Sequence, residues 1–142
     1  MENHSDISKN FIPYDLALEL KELGFDEECL ALYQSNHNNK PFININNKIN
    51  IEALLSGKIK NEGIQYLIKA PLYQQAFRWF REKYMLSGEI YIFKNIWNFD
   101  IEDINNSIQL YTSDITSYST YEEAELECLV KLIEIAKEQN VK

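Results

Sequence analysis

The sequence predicts a single compact α+β domain with an antiparallel sheet and about three helices. Two long segments have helical apolar faces, short segments between them alternate apolar with polar residues, and only four glycines and three prolines interrupt the chain. A chain of 142 residues, 45% of them hydrophobic, can bury a core without a metal or a disulfide. Residues 1–10 are polar and are predicted to form a flexible tail, which leaves residues 11–142 as the domain.

The N-terminal half is predicted to hold one helix and three strands. Pro13 suits the start of a helix, leucines at 16, 20 and 23 form its apolar stripe, and Gly24 ends it. Residues 29–34 are interpreted as a strand, although a helical turn also fits them. Alternating isoleucines over 43–51 predict a strand or a hairpin, and alternation over 64–68 predicts a strand that ends at Pro71.

The C-terminal half is predicted to hold two helices and two strands. Apolar residues between 73 and 84 follow helical spacing, so a helix is expected over 72–86, with Gly88 stopping it. Residues 90–93 and 108–112 alternate and predict an antiparallel pair joined by a long loop. Thr120 and Glu123 form a capping box for the last helix, whose two apolar rows between 124 and 136 predict deep burial.

Charge and composition exclude several classes of protein. The net charge is −8, which argues against an extended nucleic-acid surface because such surfaces neutralise many phosphates. No apolar run reaches the roughly 20 residues that cross a bilayer, so a cytoplasmic protein without a membrane partner is expected. Residues 40–84 depart from the acidic average: eight basic and three acidic side chains give this segment a net charge of +5.

Few residues are suited to catalysis, and the protein is predicted not to be an enzyme and to need no cofactor. The two histidines lie in polar segments without a second metal ligand at suitable spacing, and no phosphate-binding glycine motif is present. Cys29 and Cys128 lie 99 positions apart and are expected to be buried, reduced thiols. The acidic residues Asp100, Glu102 and Asp103 fall in the predicted loop and leave a divalent-metal hydrolase as the third hypothesis.

The second helix holds the most specific pattern in the chain. Its two arginines, Arg78 and Arg81, are the only arginines in the sequence, and aromatic side chains lie beside them. Because guanidinium groups bind phosphates bidentately, both are candidates to bind one anion. Trp79 or Tyr84 would stack on a base, and Lys83 and Lys69 would add positive field. The same pattern also fits an amphipathic helix with a solvated basic face.

Three stretches resemble a group of small phage and prophage proteins, particularly from phages of Bacteroidetes, for which no activity is established. The stretches are FIPYDLALELKELGFDEECLALY at 11–33, APLYQQAFRWFREKYML at 70–86 and YEEAELECLVKLIEIAKEQ at 121–139. This resemblance covers about half the chain and implies a host-takeover or counter-defence factor that acts by binding.

The leading hypothesis is therefore a non-enzymatic binding protein of phage type that sequesters an anionic small ligand, such as a signalling nucleotide. The alternative is an inhibitor of protein interactions that uses its acidic surface to occlude a host protein. A homo-oligomer is expected, and Trp97 and Phe99, beside the predicted loop, are the candidates for contact with a partner or another subunit.

Overall fold

The computed structural model describes residues 6–35, 40–45, 66–114 and 117–141. These residues contain three α-helices and two three-stranded antiparallel sheets, which confirms the α+β class. Residues 46–51 of the predicted strand or hairpin, residues 64 and 65 of the next predicted strand, and the two histidines, His4 and His37, lie outside the described residues. The chain divides into two compact units, Met1–Leu72 and Tyr73–Lys142, and each is described by itself.

The first unit is a three-stranded antiparallel sheet with a helix on strand β3. Ile7–Asn10, predicted to belong to the tail, form a turn of 3-10 helix whose first turn is capped by the Asp6 carboxylate. The other elements are α1 (Tyr14–Glu22), β1 (Ala31–Ser35), β2 (Phe42–Ile45) and β3 (Tyr66–Ala70), with the strands in the order β2-β1-β3. The strand interpretation of residues 29–34 is thus confirmed for residues 31–34.

Helix α1 begins and ends where the sequence predicts. Pro13 precedes its first residue, and Leu16 and Leu20 are buried on the side that packs against β3. At its end Gly24 has φ 99°, a conformation that glycine adopts without a Cβ clash, and its N–H donates to the Lys21 carbonyl. The N–H of Phe25 donates to the Leu20 carbonyl, which completes a Schellman motif.

The second unit packs two helices with a second antiparallel sheet. Its elements are α2 (Tyr73–Lys83), β4 (Leu86–Phe93), β5 (Ile96–Asp103), β6 (Ile108–Thr112) and α3 (Tyr121–Val141). The strands lie in the order β4-β5-β6. Helix α3 packs on β4 and β5, and α2 packs on β4.

The predicted long loop between residues 93 and 108 is wrong, because most of it is strand β5. A two-residue turn at Lys94 and Asn95 connects β4 to β5, and both turn residues have positive φ, 52° and 65°. Such a turn has the twist that a two-residue hairpin requires. Within β5, Phe99 and Ile101 are buried, so Phe99 is a core residue and not a surface contact.

The predicted end of the second helix is also wrong. Helix α2 ends at Lys83, Met85 takes a positive φ of 56°, and Gly88 lies inside strand β4. A Cβ on Gly88 would lie 2.7 Å from Cys128 Sγ and 2.9 Å from Phe77 Cε1. Glycine is therefore required here because both helices approach the strand closely.

Helix α3 begins as predicted. The backbone N–H of Glu123 donates to Thr120 Oγ1 at 3.2 Å, while the Glu123 carboxylate accepts from Ser119 Oγ at 3.3 Å. Burial is confirmed for most of the two predicted apolar rows, because the side chains of Ala124, Cys128, Leu129, Leu132, Ile133 and Ala136 are buried. The remaining members, Leu126, Val130 and Ile135, are half-buried. Burial raises the pKa of the Cys128 thiol, and Cys29 is half-buried.

Replacing Gly88 with alanine is expected to destabilise the protein by about 1–3 kcal/mol, because the added methyl group overpacks the contact with Cys128 and Phe77. Urea unfolding measures this change, and Glu89→Ala, at an exposed position of the same strand, is the matched control. The Gly88→Ala, Cys128→Ala double variant should lose less free energy of unfolding than the sum of the losses in the two single variants. A Gly88→Ala variant as stable as the control would contradict this account of the glycine.

Candidate functional site

An open cleft of about 260 Å³ lies among α2, β4 and α3 in the second unit. Polar and apolar side chains from all three elements line it: Gln74, Phe77, Arg81, Gly88, Ile90, Tyr121 and Glu125. Pockets that enclose drug-sized ligands measure about 300–1,000 Å³. The cleft is therefore suited to a smaller molecule.

Helix and strand periodicity explains why these residues converge. Phe77 and Arg81 are four positions apart on α2, and Tyr121 and Glu125 are four positions apart on α3, so each pair lies on one face. Gly88 and Ile90 share one face of β4 because side chains alternate along a strand. Gly88 adds no side chain to the cleft, and its missing Cβ lets Phe77 on α2 and Cys128 on α3 approach the strand closely.

Arg81 is the cationic group of the cleft. Its side chain is exposed, and within the described parts of the chain the structure gives it no ion pair. A guanidinium group carries five N–H donors in a planar fork that matches a carboxylate or a phosphate. Arg81 is therefore positioned to bind an anionic group that enters the cleft.

Glu125 and Tyr121 form the acidic side of the same cleft. The Glu125 side chain is half-buried, and this burial raises its carboxyl pKa, although a hydrogen bond from the Tyr121 hydroxyl acts in the opposite direction. The negative charge of Glu122 raises it further. The Tyr121 ring is 39% exposed and packs edge-on against Trp97, with ring centroids 5.3 Å apart.

Arg78 lies outside the group of residues that lines the cleft. Its exposed guanidinium reaches the Glu82 carboxylate at 4.0 Å, one turn further along α2. The expectation that one ligand reaches both arginines is therefore not met in this arrangement, in which only Arg81 faces the cleft.

Trp79, Lys83 and Tyr84 form a separate aromatic cluster on α2 and the residue that follows it. Trp79 is only 5% exposed, and the Lys83 ammonium lies 5.2 Å from the centre of its ring. The Tyr84 ring contacts Trp79 edge-on, and its hydroxyl accepts from Asn140 Nδ2 at 3.1 Å. A base can stack only on an aromatic ring that has an exposed face, and Trp79 is too buried to provide one. The exposed aromatic residue at the cleft is Tyr121.

Lys69 belongs to the first unit, on β3. Its ammonium donates to the Asp26 carboxylate at 2.9 Å and to the Asp26 carbonyl at 3.1 Å. Both residues line a cavity of about 190 Å³ in that unit, together with Ala17, Lys21, Phe25 and Leu67. The ammonium is thus already neutralised by a carboxylate.

The acidic residues of the third hypothesis lie in strand β5 and not in a loop. Asp103 at its end accepts from the Asn105 N–H at 2.9 Å and from Asn106 Nδ2 at 2.8 Å, so its carboxylate shapes the turn to β6. Asp100 lies near the Tyr91 hydroxyl, at 3.3 Å. Among the described residues, no group of three or more histidine, cysteine or carboxylate side chains could hold a metal ion.

Sequence reasoning missed Glu125, Tyr121 and Gln74 as members of the site. In the sequence, Glu125 is simply one of several acidic residues near the positive end of the α3 dipole, where acids are common. The one sequence signal was the four-residue spacing of Tyr121 and Glu125, which puts a ring and a carboxyl on one helical face. No pattern in the sequence predicts that this face lies near Arg81, which is 44 positions earlier in the chain.

Comparison with protein-family models, with curated proteins and with solved structures returns no match for this chain. The resemblance to phage proteins stays a prediction. In the part of the chain that the structure describes, no helix is both long and apolar enough to cross a membrane.

The Glu125 carboxyl is expected to titrate above its ordinary value of 4.5, and Tyr121→Phe should raise the pKa further because it removes the bond that lowers it. A pKa raised by folding means that the folded state holds the proton more tightly, so the free energy of unfolding falls as pH rises through the folded pKa. Side-chain carbon shifts in NMR report the titration. A midpoint at or below 4.5 in the unaltered protein would contradict the described burial.

The Asp26 carboxyl should titrate below 3.8, because the Lys69 ammonium donates to it and stabilises its charged form. Its pKa is lowered by folding, so its contribution to stability is present above the unfolded pKa and is lost as pH falls through the folded one. Lys69→Met is expected to move the NMR titration of Asp26 upward, towards 3.8. An unchanged midpoint would mean that the contact is absent in solution.

Proposed function

We propose that this protein is a binding protein that sequesters a small anionic ligand in the cleft of its second unit, with Arg81 binding the acidic group. The single observation that carries the proposal is the position of Arg81: a guanidinium without an ion pair among the described residues lines a cleft whose polar side chains come from α2 and α3. An anion that enters this space gains a charge-assisted, bidentate hydrogen bond.

The charge of the second unit limits the ligand to a small one. Residues 73–142 carry twelve acidic and seven basic side chains, a net charge of −5. An extended polyanion would be repelled by this field, whereas a small ligand interacts mainly with the groups that line the cleft. The volume of about 260 Å³ points the same way, to a mononucleotide or a smaller metabolite.

Tyr121 supplies the flat surface that a base would need. The residue is 39% exposed and lines the cleft, and its ring packs edge-on against Trp97 on β5. Stacking of a base on an aromatic side chain contributes about 1–3 kcal/mol. A phosphate on Arg81 and a base on Tyr121 would place a mononucleotide across the cleft, in keeping with the signalling nucleotide that the sequence suggests.

Removing the Arg81 guanidinium is expected to weaken binding of adenosine 5′-monophosphate about 10- to 150-fold, the equivalent of about 1.5–3 kcal/mol for a hydrogen bond to a charged group. Isothermal titration calorimetry of Arg81→Ala measures the loss. Arg81→Lys keeps the positive charge without the planar fork, so its affinity should lie between that of the unaltered protein and that of Arg81→Ala.

Arg78→Ala is the matched control, because Arg78 is an exposed arginine on the same helix outside the cleft. It should change the affinity by no more than about twofold, as expected for an exposed charge. Equal losses in the two alanine variants would contradict the assignment of Arg81, and absence of binding by the unaltered protein would overturn the proposed nucleotide.

A further inference from the structure

We infer that the cleft recognises a ligand that carries both an acidic group and an amino group, with Arg81 binding the first and Glu125 accepting a hydrogen bond from the second. This inference rests on the proposed function and names the ligand class for the same site. Its basis is the presence of a cation and a carboxyl in one cleft, one on α2 and the other on α3.

Arg81 and Glu125 line the same space, yet no ion pair within 4.0 Å joins them in the structure. A guanidinium and a carboxylate in contact would neutralise each other and close the cleft. Because they remain apart, each can contact a different part of a ligand that lies between them. A ligand with complementary groups at its two ends would satisfy both.

Glu125 has acceptor capacity to spare. A carboxylate offers about four lone-pair positions, and the Tyr121 hydroxyl uses one of them. Glu122, one turn earlier on α3, adds a second negative charge near Glu125. An N–H donor from the ligand would therefore relieve an accumulation of negative charge on the half-buried side of the cleft.

A ligand that is only an anion fits this cleft poorly. Its acidic group would bind Arg81, but the rest of the molecule would face the Glu125 carboxyl with acceptors or with apolar surface, and this half-buried polar group would lose water without gaining a partner. Sites built to hydrogen-bond a polar group reject analogues that lack it for the same reason. Glu125 thus selects among anions for those with an amino group.

Two kinds of small molecule share this chemistry. A mononucleotide with an amino-bearing base combines a phosphate with an exocyclic amine, and an amino acid combines a carboxylate with an ammonium group. The exposed ring of Tyr121 favours a flat base, whereas the modest volume also suits an amino acid.

Two matched pairs of probes test the inference by calorimetry on the full chain. Adenosine 5′-monophosphate is compared with purine riboside 5′-monophosphate, which has a hydrogen in place of the exocyclic amine, and leucine is compared with 4-methylpentanoate, which lacks the ammonium group. In whichever pair matches the class of the natural ligand, nucleotide or amino acid, the probe with the amino group should bind on the order of tenfold to a hundredfold more tightly than the probe without it. Glu125→Gln should reduce this preference, because the amide oxygen is an uncharged and therefore weaker acceptor than a carboxylate.

The outcomes separate this inference from the function on which it rests. Equal binding of both members of a pair, still weakened by Arg81→Ala, would overturn the amino-group selectivity and leave the anion site intact. No binding by any of the four probes would overturn the proposed function with its nucleotide and amino-acid ligands. Since the comparison of probes on the unaltered protein needs no variant, a Glu125→Gln variant that failed to fold would not affect it.

Discussion

The close contact at Gly88 determines the geometry of the cleft. Because Gly88 has no Cβ, Cys128 on α3 and Phe77 on α2 both reach strand β4 at distances that a methyl group would not allow. Glu125 lies three positions before Cys128, and Arg81 lies four positions after Phe77, so each shares a helical face with one of the packed residues. The contact that packs the two helices on the strand therefore also sets the spacing of the two charged groups in the cleft.

The electrostatics of the second unit explain why a cleft with one charge of each sign is favourable for a small ligand. In a unit with a net charge of −5, a pure anion enters against the long-range field and is attracted only by the nearby guanidinium. An amino acid, whose ammonium group balances its carboxylate, adds no net charge and is not opposed by this field, whereas a mononucleotide keeps the charge of its phosphate and depends on the guanidinium. Short-range hydrogen bonds then determine the affinity.

The sequence predicts those parts of the structure in which local signals agree. Helix α1 has its leucine stripe and a terminal glycine, and α3 has its cap and a broad apolar face, so both were predicted close to their observed positions. Strand β5 was missed although Trp97, Phe99 and Ile101 alternate with polar residues. Its acidic residues resemble those of a loop, and the turn at Lys94 and Asn95 has no glycine to mark it.

For the site, the sequence identified the helix and one of its residues, because arginine confined to a single helix is a local observation. It could not supply the partner, since Glu125 meets Arg81 only through the packing of α2 and α3 on one strand. The sequence also does not predict the burial of Trp79, because an aromatic residue near two arginines gives the same pattern whether its ring is exposed or buried.

Helical phase explains why one arginine enters the cleft and the other does not. With 3.6 residues per turn, Arg81 lies about 40° around the helix from buried Phe77, whereas Arg78 lies about 100° from it, towards solvent. A ligand in the cleft would therefore contact one guanidinium group rather than two. The binding energy that a second guanidinium group would supply must then come from another side chain. Among the polar side chains that line the cleft, Glu125 is the one that is half-buried and charged when deprotonated. The position of Arg78 outside the cleft is thus the reason that we propose Glu125 as the second determinant of specificity.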